Sequence, residues 1–104
     1  MEHLELNLAQ LRQNLHKSPE LGFQETKTKA TIAGLLHDFG LEVYEGTGVV
    51  GVLRSGSAKH AIGLRADMDA LPILEKSTHG YVSENRGVMH ACGHDGHTTM
   101  LLGA

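Results

Sequence analysis

Two stretches of the chain space their apolar residues by three or four positions, as in a helix with one buried face. The first carries four leucines and should end before Pro19: Leu4, Leu8, Leu11 and Leu15. The second starts near Glu25 and carries Ala30, Ile32, Ala33, Leu35, Leu36 and Phe39. Gly40 follows in the position that a left-handed helix cap prefers. The pattern predicts two amphipathic helices.

The middle of the chain changes to short strand-like runs. Residues 41–44 alternate, residues 49–53 are rich in β-branched side chains, and residues 61–65 read as a buried strand. We expect 49–53 to pair with 61–65 as a hairpin across the turn-rich residues 55–57. The glycines of residues 46–51 favour a plain turn over a dinucleotide fingerprint, because a strand and not a helix follows them.

A third helix should begin near residue 94, because an apolar stretch follows there: Met100, Leu101 and Leu102. The predicted fold class is α/β, with two helices, a mixed and mostly parallel sheet, and the start of a third helix. We expect one domain without linkers or repeats.

Composition excludes several classes of function. Of 104 residues 20% are charged and the formal net charge is -3, so no basic face for nucleic acid is expected. The apolar runs are too short to span a membrane. Residues 1–5 show no secretory signal, and one cysteine excludes an internal disulfide, so a reducing cytoplasm is the expected location.

Candidate chemistry is densest in residues 92–97, CGHDGH. If the segment is extended, Cys92 and His94 project to the same side and can share a metal ion, with Asp95 and His97 as supporting candidates. A helix beginning here would lower the thiol pKa and favour the thiolate that binds metal. Alternatives are a buried structural cysteine with capping histidines, or a thiol enzyme with Cys92 as nucleophile and a neighbouring histidine as base.

A second candidate group follows the strand predicted at residues 61–65. Asp67 and Asp69 have the two-residue spacing of one face, just beyond the strand's carboxyl end, where ligand and catalytic groups of open α/β sheets collect. The alternative is a solvated loop in which an aspartate supplies a turn. Residues 75–88 are polar and irregular, and we expect them to form a loop over the metal site, with His79 as an ordinary exposed residue.

Three stretches, in this order, resemble the M20 metallopeptidase family: LHKSPELGFQE at 15–25, GLRADMDALP at 63–72 and MHACGHDGHT at 89–98. The likeness is to the amidohydrolase branch, which includes hippurate hydrolase, N-acyl-amino-acid amidohydrolases and auxin-conjugate hydrolases. It implies the N-terminal part of a zinc-peptidase-like catalytic domain. His16 belongs to the first motif and is expected to be structural, at the end of a helix.

The resemblance also implies roles for site residues. Cys92 and His94 look like ligands of a site for two divalent ions, manganese or zinc, with cobalt or nickel as further candidates. Asp69 looks like the carboxylate that orients the site, and Asp67 stands where the wider family has a ligand histidine. A thiolate favours zinc-like ions, whereas manganese rests on the likeness alone. The implied reaction is hydrolysis of the amide bond of an N-acyl amino acid.

Length matters because family members are several times longer. The general-base glutamate, the remaining ligands, the dimerisation domain and the C-terminal catalytic part are expected outside residues 1–104, which then form a single incomplete catalytic domain. The parent enzyme would be a homo-oligomer. The alternative is a catalytically inactive remnant with weak or no metal binding. For the isolated chain we expect marginal stability and a tendency to associate.

Overall fold

The computed structural model describes residues 7–57 and 59–104. Leu4 and residues 1–5, which entered the sequence predictions, lie outside the described residues. The elements in chain order are α1 (Leu8–Lys17), α2 (Thr26–Asp38), β1 (Glu42–Glu45), β2 (Val49–Val52) and α3 (His94–Gly103). This order confirms the α/β class and the three predicted helices. None of the described helices is long and apolar enough to cross a bilayer.

Helix α1 begins and ends on local signals. The side chain of Asn7 accepts a hydrogen bond from the backbone N–H of Gln10 at 3.0 Å, which satisfies one free donor of the first turn. The helix ends before Pro19, whose side chain is fully buried and which could not continue it. The buried face carries Leu11 and Leu15, as the leucine spacing predicted.

The carboxylate of Glu20, which lies outside helix α2, caps the N-terminus of that helix. This carboxylate accepts hydrogen bonds from the backbone N–H groups of Lys27 and Thr28 and from the Thr28 hydroxyl, at 2.7–3.1 Å. Burial raises the pKa of Glu20, but these hydrogen bonds outweigh it and the pKa is lowered. At the other end Gly40 has φ +83° and closes the helix, which confirms the predicted cap.

The hairpin joins different strands from those predicted. β1 pairs with β2 in antiparallel register, so that Glu42 lies opposite Val52 and Glu45 opposite Val49. The glycine-rich residues 46–48 form the turn between them, which confirms a turn there. A Cβ atom at Gly51 would lie 3.2 Å from the side chains of Leu36 and Leu41, so glycine allows the hairpin to pack against α2.

The predicted strand at 61–65 is wrong. These residues are exposed, Ile62 to 91% and Leu64 to 69%, and no described strand lies beside them to complete a ladder. The mostly parallel sheet is also wrong for the described residues, because the sheet there is the antiparallel β1–β2 pair. Two isolated bridges add to it: Leu21 with Ala70, parallel, and Leu71 with Met89, antiparallel.

The apolar core is small and is formed by the three helices. Its buried members are Leu11, Leu15, Ile32 and Leu102. At Gly103 a Cβ atom would lie 2.9 Å from the side chain of Leu8, so α1 and α3 approach closely there. This contact lies at the last turn of α3, and the first turn is held against α1 by hydrogen bonds from Arg12 and His16 to Asp95. The candidate site lies at that first turn.

Candidate metal centre

The segment that carries Asp67 and Asp69 is fixed by backbone hydrogen bonds just after the two aspartates. The N–H of Ala70 donates to the carbonyl of Glu20 at 2.8 Å, and Leu71 and Met89 exchange two hydrogen bonds of 2.9 Å. Residue 89 precedes the candidate metal motif by three positions. The two aspartates and the motif are therefore brought to one place although they are about 25 residues apart in sequence.

Helix α3 begins at His94, two residues after Cys92. Gly93 is the residue before the helix and has φ +80°, a left-handed conformation that glycine adopts without steric cost. The backbone therefore bends between Cys92 and His94, and the prediction of an extended segment here is wrong. The prediction of a helix starting at this run is confirmed. Cys92 is exposed, so it is not a buried core thiol.

His94 is held by Asp69 through one ring nitrogen. Its Nδ1 lies 2.9 Å from Oδ1 of Asp69 and 2.8 Å from the carbonyl oxygen of the same residue. Both partners are acceptors, so Nδ1 carries the hydrogen and donates. In a neutral ring Nε2 then keeps its lone pair. This nitrogen lies 3.4 Å from Oδ2 of Asp67, a second acceptor.

Asp67 also contacts the second imidazole of the motif. Nδ1 of His97 donates to Oδ1 of Asp67 at 2.8 Å, and the hydroxyl of Thr98 donates to the backbone carbonyl of Asp67 at 2.9 Å. The hydrogen bond from His97 lowers the pKa of the Asp67 carboxyl, and the nearby ring of His94 acts in the same direction. Asp67 is thereby favoured as an anion.

Four side chains therefore form one group, which we call the open cluster: Asp67, Asp69, His94 and His97. One ligand atom from each of Asp67, His94 and His97 lies within 4.8 Å of the others, close enough to hold one metal ion. The side chains are 17–47% exposed. Within the described residues no lysine or arginine forms an ion pair with either aspartate, so the cluster carries excess negative charge. Cys92 is not among the three residues that share this distance limit.

Asp95, another predicted site residue, lies outside the open cluster and faces α1. Its carboxylate is only 2% exposed and accepts hydrogen bonds of 2.9 Å from Arg12 Nε and from His16 Nδ1, both on α1. Burial raises the pKa of Asp95, but the hydrogen bond from His16, the N–H of Gly96 and the charge of Arg12 lower it overall. Consecutive residues of a helix point in different directions, which separates Asp95 from His94.

Asp95 belongs to a second group, which we call the buried cluster: His16, Glu75, His79 and Asp95. Glu75 Oε2 lies 3.0 Å from Nε2 of both His16 and His79. Glu75 did not stand out in the sequence, and His79 is half-buried and contacts Glu75 at 3.0 Å, so the prediction of an ordinary exposed residue is wrong. The four-residue spacing of Glu75 and His79 is the only sequence signal that could have linked them. The loop that carries them packs on α1.

A further histidine is buried near both clusters. His90 is 5% exposed, and neither ring nitrogen has a hydrogen-bond partner among the described residues. Burial lowers its pKa, which favours the neutral ring, while the charges of nearby Asp95 and Asp69 oppose this effect. Its ring centroid lies 6.5 Å from that of His16.

Comparison with known proteins gives a consistent result. Residues 63–104 match the family described as peptidase family M20/M25/M40. Hippurate hydrolase from Campylobacter jejuni is 56% identical over 95 residues, 88% of this chain and 25% of that protein. An N-acyl-L-amino acid amidohydrolase from Geobacillus stearothermophilus is 50% identical over 95 residues, 88% of this chain and 26% of that protein.

A solved structure extends the likeness to the fold. It is a dinuclear metal-binding peptidase of the M20 family from Bacillus subtilis, with a TM-score of 0.88 and 39% identity over 92% of this chain and 28% of that one. The chain spans about a quarter of the length of the curated relatives it matches. Fold, motif and relatives agree on one family: residues 63–104 match the M20 peptidase family, and the chain is similar in sequence and fold to members of that family.

Proposed function

We propose that this chain supplies part of the metal centre of an amidohydrolase that cleaves the amide bond of N-acyl amino acids. The observation that carries the proposal is the orientation of the His94 ring. Asp69 holds Nδ1 at 2.9 Å, so Nε2 faces Oδ2 of Asp67 at 3.4 Å, and the exposed Cys92 precedes His94 by two residues. Two acceptors that face each other repel unless a cation or a proton lies between them.

The donor set fits a divalent transition metal. Thiolate and imidazole suit zinc-like ions, and the two uncompensated carboxylates favour a doubly charged ion. In the proposal Cys92 and His94 are ligands, and Asp67 and His97 support the site. Asp69 orients His94 in the carboxylate–histidine arrangement that is common around metals. Asp95 holds the helix and is not a ligand. Two ions per complete site are proposed by analogy with the dinuclear relative, zinc or manganese first.

When bound, divalent ions supply Lewis-acid polarisation of the acyl carbonyl and activation of water. Two residues of this chain would position the metal ions. Asp69 fixes the ring of His94, and Asp67 keeps a negative charge beside that ring. We place the general base that shuttles the proton outside these 104 residues, together with the rest of the catalytic domain. The proposed substrate is a small N-acyl amino acid, and the proposed setting is a cytoplasmic homo-oligomer.

A non-catalytic chain with weak metal binding is the second candidate. It is favoured by the openness of the site, where the side chains of His97 and Asp69 are 47% and 42% exposed. An exposed site gives its ligands little support from packing, and metal affinity falls when ligands are poorly held.

Metal content separates the two candidates. We would measure bound zinc and manganese in the purified chain by elemental mass spectrometry, with a hippurate assay in which no turnover is expected because the general base is placed outside the chain. Stoichiometric metal that is lost in Cys92→Ala and His94→Ala, but kept in His60→Ala at an exposed position, is expected. Metal that is absent from the wild type, or unchanged in both variants, would overturn the assignment of the ligands.

A further inference from the structure

His16 lies at the centre of the buried cluster, and both of its ring nitrogens face carboxylates. Nδ1 is 2.9 Å from Oδ2 of Asp95, and Nε2 is 3.0 Å from Oε2 of Glu75. The three side chains are 2–4% exposed, so water cannot replace either partner. A neutral imidazole has one N–H and can donate to only one of the two carboxylates. The second nitrogen would then direct a lone pair at an anion.

Both carboxylates are favoured as anions. Burial raises the pKa of Glu75, but hydrogen bonds from His16, the backbone N–H of Ser83 and the hydroxyl of Ser77 lower it to about 2. Oδ2 of Asp95, the oxygen that faces His16, also accepts a hydrogen bond from Nε of Arg12 at 2.9 Å, and a proton on this oxygen would oppose that donor. A carboxylate of this kind has no proton to donate, so the hydrogens in both contacts must come from the imidazole.

A bound metal ion would also relieve the repulsion between the lone pair of His16 and the facing carboxylate. His16, Glu75 and His79 lie close enough to hold one ion. The proton position of His79 argues against it. The backbone N–H of Tyr81 donates to Nδ1 of His79 at 3.3 Å, so Nε2 carries the hydrogen and donates to Glu75. A nitrogen that holds a hydrogen cannot also bind a metal ion.

The charges balance only if His16 is a cation. The groups that face it are Asp95 from α3, Arg12 from its own helix, and Glu75, His79 and Tyr81 from the loop, with His90 further away. Arg12 contributes one positive charge, and His79 is neutral in the arrangement above. Two anions with one arginine leave one negative charge, which an imidazolium at position 16 cancels. Buried charges are tolerated only when they are compensated in this way.

We propose that His16 is a positioning residue, a doubly protonated imidazolium that joins Asp95 to Glu75 and thereby fixes the first turn of α3. That turn carries His94, so the effect on metal binding rests on the function proposed above. The connection is short. Asp95 follows His94 directly, and the N–H of His97 donates to the carbonyl of Gly93 at 2.9 Å within the same turn.

The protonation state can be measured on the unmodified chain. Nitrogen-15 NMR of selectively labelled histidine at pH 7 should show a directly bonded hydrogen on both ring nitrogens of His16, assigned by its loss in His16→Gln. One nitrogen without a hydrogen, with the chemical shift of a free lone pair, would overturn the proposal. The spectrum needs neither metal nor activity, and a neutral histidine with a merely structural role would not give it.

A double-mutant cycle tests the positioning. His16→Gln leaves Glu75 without its main donor and should raise the exchange rate of the His97 amide hydrogen by about 10-fold or more, together with a fall in metal affinity of about 10- to 100-fold. The double variant His16→Gln/Glu75→Gln removes the uncompensated charge and should recover most of the amide protection. His60→Gln, at an exposed position, is the matched control.

The outcomes separate this inference from the proposed function. Additive effects in the cycle, or unchanged exchange at His97 in a folded His16→Gln variant, would contradict the positioning role. If His16→Gln does not fold, recovery of the fold in the double variant supports the inference, and no recovery contradicts it. If the wild type binds no metal, the proposed function fails, while the NMR and exchange results still decide the role of His16.

Discussion

The open cluster and the buried cluster contain the same groups, two carboxylates and two imidazoles each, but differ in exposure and charge. The open cluster is 17–47% exposed, whereas His16, Glu75 and Asp95 are 2–4% exposed. In the buried cluster Arg12 joins the four side chains, and with His16 as the proposed imidazolium every close contact has a hydrogen to share. In the open cluster no described lysine or arginine pairs with the aspartates.

This difference shows which cluster can take up a ligand. A polar group whose donors and acceptors are all matched stabilises the fold but offers nothing to a metal ion. A group with excess negative charge, an unpaired nitrogen at His94 and solvent access can bind a cation with little rearrangement. The two clusters share the first turn of α3, because His94 and Asp95 are consecutive and point in different directions.

The largest expected effect comes from breaking the buried cluster. Asp95→Ala leaves Arg12 without its carboxylate and His16 with only Glu75, and should lower the free energy of unfolding by about 3–5 kcal/mol, the usual cost of removing one partner from a buried pair. Urea denaturation followed by circular dichroism measures this. The control Glu42→Gln removes an exposed ion pair with Arg54 and should barely move the midpoint. Equal midpoints for the two variants would contradict the comparison.

The next largest effect is a loss of metal affinity in the open cluster without a loss of stability. Asp69→Ala keeps the backbone carbonyl that accepts from His94 Nδ1 but removes the carboxylate charge. Metal affinity should fall about 10- to 100-fold, as for other carboxylates that orient a ligand histidine, while the unfolding midpoint stays nearly unchanged. Competition with a chromophoric chelator gives the affinity. Asp38→Ala at an exposed position of α2 is the control. An affinity equal to that control would show that Asp69 has no orienting role.

Acid should weaken the buried cluster through Glu75. Its pKa is about 2 in the folded chain against an ordinary value of 4.5, so the unfolded state takes up a proton first as the pH falls. The stabilisation from this group is complete above pH 4.5 and is lost as the pH falls towards about 2. Denaturant titrations across this window should show the loss, and Glu75→Gln should flatten the dependence. An equal slope in the variant would place the acid sensitivity elsewhere.

The smallest effect concerns the backbone between Cys92 and His94. Gly93→Ala forces a side chain into the left-handed region at φ +80° and should cost about 1–2 kcal/mol. Gly96→Ala, inside α3 with no atom within 4 Å of the added carbon, should stabilise the chain by about 0.5–1 kcal/mol. Thermal unfolding of the pair measures both changes. Effects of the same sign would contradict the assigned start of α3.

Local patterns predicted the helices well. The leucine spacing located α1, and Gly40 marked the end of α2, because both signals act within one or two helical turns. The strand at 61–65 failed since a strand needs a partner, and its apolar residues alone do not say whether one is present. The hairpin formed instead between strands separated by a three-residue turn, where loop closure is easiest.

The sequence could predict the open cluster but not the buried one. Asp67, Asp69, His94 and His97 stand in two recognisable motifs, and the fold brings both together. Asp95 was grouped with them because it is adjacent in sequence, although helical geometry turns it towards α1. The pairing of His16 with Glu75 spans 59 residues, and Glu75 lies in an irregular loop without a pattern. Only the folded chain shows that contact.

The most direct test of the central claim is a titration of the chain with cobalt(II), followed by absorption spectroscopy. A thiolate ligand gives a charge-transfer band, which we expect at saturating cobalt in the wild type, in Glu75→Gln and in His79→Ala, and which should be absent in Cys92→Ala and much weaker in His94→Ala. Cobalt bound without a thiolate band, and lost in Glu75→Gln or His79→Ala, would place the metal in the buried cluster and contradict the account.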